Sequence, residues 1–280
     1  MHNALSVDVE DWFQVGAFER VIARRDWDGL EHRVEANTDA VLRLFEEGGV
    51  KGTFFTLGWV AERFPALMRR IADAGHEIAS HGWDHQRVFT MTPTAFRDDL
   101  ARTRAVLEDT SGSKVVGYRA PSFSIDARTP WAHTILAEEG YAYSSSVAPV
   151  QHDHYGVPDA PRFAYRPLGD SRLIELPPGT ARIFGRNMAT GGGFFRLFPS
   201  RFSDWAVRRT NRDEQRPSVF YFHPWEIDPG QPRVAQAPLR SRMRHYSRID
   251  AMAGKLRHLI ATHAWDRTDR VAAAEAARLA

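Results

Sequence analysis

Between residues 4 and 79, three short apolar, β-prone runs alternate with two stretches of helical periodicity, and this rhythm restricts the chain to a parallel α/β architecture. The runs are Ala4–Val9, Gly52–Leu57 and Glu77–Ala79. The first helix is expected over Val34–Glu47, with Asn37 as its cap and Gly48-Gly49 as its stop. A second spans Ala61–Ala74 and is closed by Gly75. The pattern continues with a helix at Pro93–Glu108, a strand at Val115–Tyr118, a helix at Trp131–Glu139 and a strand at Tyr141–Ser145. Beyond residue 150 prolines break the rhythm. Regularity returns in a helix at Pro199–Thr210, a buried strand at Val219–Phe222, a helical stretch at Ser247–Thr262 and an alanine-rich end from Val271 that reads as a terminal helix or a frayed tail.

Composition narrows the chemistry. A chain of 280 residues, 43% of them hydrophobic, can bury a large core, and with no cysteine any metal must sit on His, Asp or Glu. The formal charge of +2 and pI near 9.0 give no electrostatic footprint for nucleic acid. No signal-like leader opens the sequence and no run of about 18 apolar residues follows. The expectation is a cytoplasmic protein without an integral membrane segment.

Four polar clusters lie at or just after predicted strand ends, where α/β folds gather their reactive groups. Asp8-Val9-Glu10-Asp11 puts three carboxylates after an apolar strand, where unpaired charge is costly and a cation is expected. His81-Gly82-Trp83-Asp84-His85 spaces two imidazoles to share one side of a helical turn, a natural half of a zinc site. Arg119, in Tyr118-Arg119-Ala120-Pro121-Ser122-Phe123, leaves a strand into a proline-stiffened turn and is suited to a charge-assisted bond with a carboxylate. His223, in Phe222-His223-Pro224-Trp225-Glu226, follows a very apolar strand, where a single histidine is usually a satisfied core residue. Two other stretches carry less: His152-Asp153-His154 reads as a surface loop, and Gly191-Gly192-Gly193 as a turn at the groove rim, with no Lys-Ser/Thr to make a phosphate loop.

In this order the four clusters resemble the NodB-homology polysaccharide deacetylases, carbohydrate esterase family four. Gly52–Gly58 and Gly75–His81 are also similar to that family, so the likeness covers roughly residues 3–150 and 218–226. The Asp-Val-Glu-Asp, Arg-Ala-Pro-Ser-Phe and His-Pro-Trp-Glu segments resemble most the branch associated with exopolysaccharide loci and exosortase-type sorting. The resemblance implies a distorted, incomplete (β/α) barrel over residues 1–280, with 150–218 and 227–280 packed on it as extensions. It implies Asp8 as general base, Arg119 as its partner, His81 and His85 as metal ligands and His223 as general acid. Where the family has a second aspartate this chain has Val9. Strand alternation puts Glu10 on the side of Asp8 and favours it as third ligand, with Asp11 the alternative. No aspartate that would orient His223 is evident, since Tyr141–Ser145 offers only hydroxyls.

The implied activity is removal of N-acetyl groups from amino sugars of an N-acetylated polysaccharide, with Zn2+ as cofactor and Co2+ or Ni2+ also compatible. Trp12, Trp83, Pro121, Ser122, Phe123 and Trp225 are the expected substrate-binding positions. Two rival readings keep the fold: a hydrolase of cyclic amides or ureides, and a glycan-binding protein with a degenerate site.

Overall fold

The computed structural model describes residues 1–152, 155–169 and 171–280. Its centre is a parallel sheet in which β1 (Asn3–Val9), wholly buried, pairs with both ends of the chain's fold. On one side β1 meets β2 (Thr53–Thr56), and the order continues through β3 (Glu77–Ser80), β4 (Gly117–Tyr118), β5 (Tyr143–Ser144) and β6 (Ile174–Glu175). β1 also pairs in parallel with β9 (Val219–Phe222), in the register Ala4 to Val219 through Val7 to Phe222, and with the two-residue β10 (Trp265–Asp266). Side chains of such strands are buried on both faces, which is why they read as continuous apolar runs.

Helices cover the outside: α1 (Val34–Glu47), α2 (Gly58–Arg63), α3 (Pro65–Asp73), α4 (Pro93–Ser111) and α5 (Ala132–Glu138) from the first half. The second half adds the antiparallel hairpin β7 (Thr180–Ile183) and β8 (Arg186–Ala189), then α6 (Gly192–Leu197) and α7 (Ser200–Arg212). It ends with α8 (Leu239–Tyr246), α9 (Ile249–Thr262) and α10 (Thr268–Arg278). Among the described residues β6 and β9 form no ladder, so the barrel is distorted and incomplete, the architecture that the resemblance implied. The gap is bridged by the N–H of Gly179, which donates to the Val219 carbonyl at 2.7 Å. Only glycine fits there, because a Cβ would stand 2.9 Å from that same oxygen.

Several expectations shift. The single helix expected over Ala61–Ala74 is two, α2 and α3, broken at Phe64 (φ −125°, ψ 57°) because the residue before Pro65 is sterically excluded from the helical region. Asn37 does not cap α1. It lies inside the helix and donates to Asp228 at 3.1 Å, while the helix start is held by Asp11, whose Oδ2 accepts from the N–H groups of Arg33 (2.8 Å) and Val34 (3.0 Å). The expected strands at Val115–Tyr118 and Tyr141–Ser145 shrink to two residues each, and β6, the hairpin and β10 carried too little periodicity to be anticipated. The Gly191–Gly193 turn opens α6.

Candidate active site

The parallel register delivers Asp8, His81, Arg119 and His223 to the same edge of the sheet, at or just past the ends of β1, β3, β4 and β9. Arg119 is fully buried beneath this edge, its guanidinium 4.0 Å from the Phe55 ring. Nη1 donates to Asp8 Oδ1 at 2.6 Å and to Ser6 Oγ at 2.8 Å, and Nη2 donates to Ser145 Oγ at 3.0 Å. Asp8 is thereby fixed at one oxygen, with the other turned toward the cavity and 4.0 Å from His223 Nε2.

Glu10, His81 and His85 present one donor atom each within 4.8 Å of one another. The His81 Nδ1 lies 2.8 Å from the Arg119 carbonyl, which can only accept, so Nδ1 carries the hydrogen and Nε2 keeps its lone pair for the site. Burial pushes the His81 pKa down to about 4, against the pull of Asp8 and Glu10, which keeps the ring neutral as a ligand must be. Burial raises the Glu10 pKa, but His85 and His223 outweigh it and hold the carboxyl at about 2. Glu10 Oε1 accepts from Trp225 Nε1 at 3.1 Å. Its Oε2 is buried and stands 3.0 Å from His85 Nε2. That spacing, with His81 beside it, is compatible with a shared cation, since ligands about 2.0–2.1 Å from a tetrahedral zinc lie roughly 3.3 Å apart. These residues therefore fit a divalent metal. His85 reaches the cluster by an unexpected route: residues 81–87 form an irregular loop rather than a helical turn, and His85 takes a left-handed conformation (φ 60°), a costly one for a residue with a Cβ.

Asp11, the alternative ligand, is not part of this cluster. It is fully buried, its Oδ1 accepts from the Trp12 N–H at 2.8 Å, and its Oδ2 is spent on the start of α1. Burial lifts its pKa to about 6 although those three N–H groups work in the opposite direction.

The group that orients His223 lies three residues away in the same motif. Glu226 Oε2 accepts from the His223 N–H at 2.9 Å and stands 3.1 Å from Nδ1. Glu226 Oε1 is 2.7 Å from Arg196 Nε, and both partners are buried. Burial raises the Glu226 pKa, but Arg196 and His223 bring it below the usual carboxylate value. Burial lowers that of His223, yet Glu10, Glu226 and Asp8 together raise it to about 9. The signal was present as the short His-Pro-x-Glu turn, in which proline at the first position and glutamate at the third close a reciprocal cap. Arg196 had no such signal, because it reaches the site only through the packing of α6 against α8, where it donates to the Arg244 carbonyl at 2.9 Å and also to that of His245.

Asp8, Glu10, His81, His85, Arg196 and His223 line a cavity of about 400 Å³ together with Ser122, Phe123, Tyr155, Phe194 and Tyr221. Of the expected substrate-binding positions, Ser122, Phe123 and Trp225 border it. Three do not. Trp12 is buried and donates to the Glu31 carbonyl at 2.9 Å, Trp83 lies beneath the Arg102 guanidinium at 3.2 Å, and Pro121 is buried. His152, expected in a surface loop, stacks on Tyr155 at 4.2 Å and borders the cavity, whereas Asp153 and His154 lie outside the described residues.

Residues 27–143 match the polysaccharide deacetylase family model, and residues 145–273 match a domain of unknown function, DUF3473. A peptidoglycan deacetylase of Helicobacter pylori is 30% identical over 113 residues, covering 40% of this chain and 38% of the relative. A peptidoglycan-N-acetylglucosamine deacetylase of Bacillus cereus is 34% identical over 86 residues, 31% of this chain and 29% of the relative. The chain thus spans well under half the length of these curated relatives. Among solved structures, a putative polysaccharide deacetylase from Mycobacterium smegmatis superposes with a TM-score of 0.64 at 21% identity, covering 100% of this chain and 93% of that one. The Puue allantoinase superposes at 0.60 with 14% identity, over 96% and 88%. Both share the fold. The segment that matches the polysaccharide deacetylase model holds His81, His85 and Arg119, whereas Asp8 and Glu10 lie before it on and after β1, and Arg196 and His223 lie in the segment that matches DUF3473.

Proposed function

We propose that this chain is a metal-dependent hydrolase that removes N-acetyl groups from amino sugars of a bacterial polysaccharide or of its biosynthetic intermediate. The observation that carries the reading is the convergence of Glu10, His81 and His85 on one point between two differently prepared acid–base groups, Asp8 and His223. Glu10, His81 and His85 would hold the cation, Zn2+ by donor set with Co2+ or Ni2+ compatible, and when bound it polarises an amide carbonyl and acidifies water. Asp8, pinned by Arg119 at one oxygen, takes the proton of the attacking water on the other. His223 is held by Glu226 with Nε2 facing the cavity, and it delivers a proton to the departing sugar nitrogen. In the turn after β4 the N–H groups of Arg119, Ala120 and Phe123 are spent on Ser80, Ser146 and Ala120, and Pro121 has none. Ser122, at the cavity wall, is left as the turn's donor to the developing oxyanion. The names of the relatives, both peptidoglycan deacetylases, support an N-acetylglucosamine-containing polymer, and the sequence resemblance points to exopolysaccharide.

The test is acetate release from N-acetylglucosamine oligomers and peptidoglycan fragments by chelated and then remetallated protein. Activity lost with the metal and regained with it is the expected outcome. No acetate from any amino sugar under any metal, together with turnover of a ureide, would replace this function with the rival one.

A further inference from the structure

Overall charge balance hides a local excess. Between residues 180 and 212 there are seven arginines and one acid, Asp204, and of the seven only Arg196 belongs to the active site. Asp204 is turned to His258 (2.6 Å) and His263 (3.3 Å). Arg201, Arg208 and Arg212 are exposed on α7 around Trp205, itself 41% exposed, and Arg209 lies 5.3 Å from the Trp205 ring. Arg209 also donates to the Arg182 carbonyl at 3.3 Å, which ties α7 to the β7–β8 hairpin.

The hairpin tip is the oddest residue choice in the chain. Phe184 and Gly185 both have positive φ (47° and 78°), the turn that asparagine and glycine favour and a bulky aromatic pays strain to enter. Phe184 recovers nothing by packing, being fully exposed between exposed Arg182 and Arg186. From this face a ladder of rings, Trp205, Phe202, Phe198 and Phe194, runs at 5.8, 4.9 and 6.2 Å to the rim of the active-site cavity. These rings lie against one another, so they offer poor platforms for sugar rings.

We propose that the hairpin tip and the outer face of α7 dock this protein on an anionic lipid surface. Phe184 enters the boundary between headgroups and acyl chains, Trp205 sits at headgroup depth, and the arginines pair with lipid phosphates. A soluble polyanion would use the same arginines but would gain nothing from a fully exposed phenyl ring. The inference does not depend on the chemistry of the active site.

It is tested by co-sedimentation of the whole chain with vesicles of phosphatidylcholine alone or with phosphatidylglycerol. Binding should require phosphatidylglycerol and weaken with salt. Phe184→Ser should lower partitioning by roughly ten-fold or more, and Arg182→Gln and Arg186→Gln by about five-fold each. All three variants should keep wild-type circular dichroism and wild-type acetate release from soluble oligomers, since these side chains touch neither core nor cavity. Equal sedimentation with both vesicle types, or Phe184→Ser binding like wild type, overturns the proposal. So does retention on heparin that is unaffected by Phe184→Ser without any vesicle binding, which would mark a site for soluble polyanions.

Discussion

Replacing Glu226 by glutamine removes one buried charge and leaves the side chain's volume almost unchanged. As a carboxylate, Oε2 can only accept, so His223 Nδ1, 3.1 Å away, must carry the hydrogen and Nε2 is left to face Asp8 and Glu10. A glutamine can turn its NH2 toward Nδ1 and stabilise the opposite tautomer. General acid catalysis is worth about 10²–10⁴-fold, so kcat should fall by at least about 100-fold while KM and metal content stay near wild type. Glu226 is also one of the charges that lifts the His223 pKa to about 9, and without it the basic limb of the rate profile should move to lower pH. Stability should fall as well, because Arg196 Nε, 2.7 Å from Glu226, is left buried without its counter-charge. Breaking such a pair costs about 3–5 kcal/mol. Arg196 retains its bonds to the carbonyls of Arg244 and His245, so the lower figure applies, or very roughly 6–12 °C in Tm. Arg196→Met should destabilise similarly by stranding Glu226. The double variant, with neither charge, should recover most of the stability and none of the turnover. Acetate release and thermal unfolding on the four proteins decide it. Turnover by Glu226→Gln within about three-fold of wild type, or full activity in the double variant, would refute the positioning role.

Asp8→Asn should lower kcat by about 10²–10⁴-fold with bound metal unchanged by elemental analysis, which separates the base from the ligands. Glu10→Gln should lose metal, whereas Asp11→Asn should keep it and instead lose about 1–2 kcal/mol in chemical denaturation, the scale of a helix-start interaction. His76 has its pKa lowered to about 4 by burial with help from Lys51 and Arg267. Between pH 6.5 and 4 the unfolded chain takes up a proton that the native one refuses, so this group's contribution is intact above pH 6.5 and drains away as pH falls, by up to about 1.4 kcal/mol per unit. The pH dependence of stability in His76→Gln should lack that slope, and an unchanged slope would refute it. Gly117→Ala should destabilise by about 1–3 kcal/mol in the same assay, since its Cβ would fall 2.2 Å from the Tyr143 ring, which is anchored to Glu77 by a 2.9 Å hydrogen bond.

The residues that meet at the cavity were legible where backbone periodicity placed them. Strand alternation alone put Asp8 and Glu10 on one side, and strand ends put His81, Arg119 and His223 on one edge. What escaped is whatever depends on contacts distant in the chain. Asp11 looked like a ligand because its partners, the N–H groups of Arg33 and Val34, are more than twenty residues away. Trp12 and Trp83 looked like sugar platforms because surroundings cannot be read from residue type: Trp12 packs inward, and half-buried Trp83 is covered by Arg102. Glu226 stands in the same short motif as His223, but its role depends on the turn that folds it back onto Nδ1, which residue type alone does not reveal. Arg196 and the hairpin belong to a stretch whose order comes from docking rather than from hydrophobic repetition.

The pairing of β1 with β9 has a consequence for how competence arises. A chain emerging from the ribosome holds Glu10, His81 and His85 long before it holds residue 219, so a cation can be captured by a half-built sheet that lacks its proton donor. His223 joins them only when β9 slots beside the opening strand, so on the proposed function a product ending before residue 219 would hold the metal-binding residues without their proton donor. Of Asp8, Glu10, His81, His85 and His223, the last is also the last to be synthesised, although β10 and α10 still follow it.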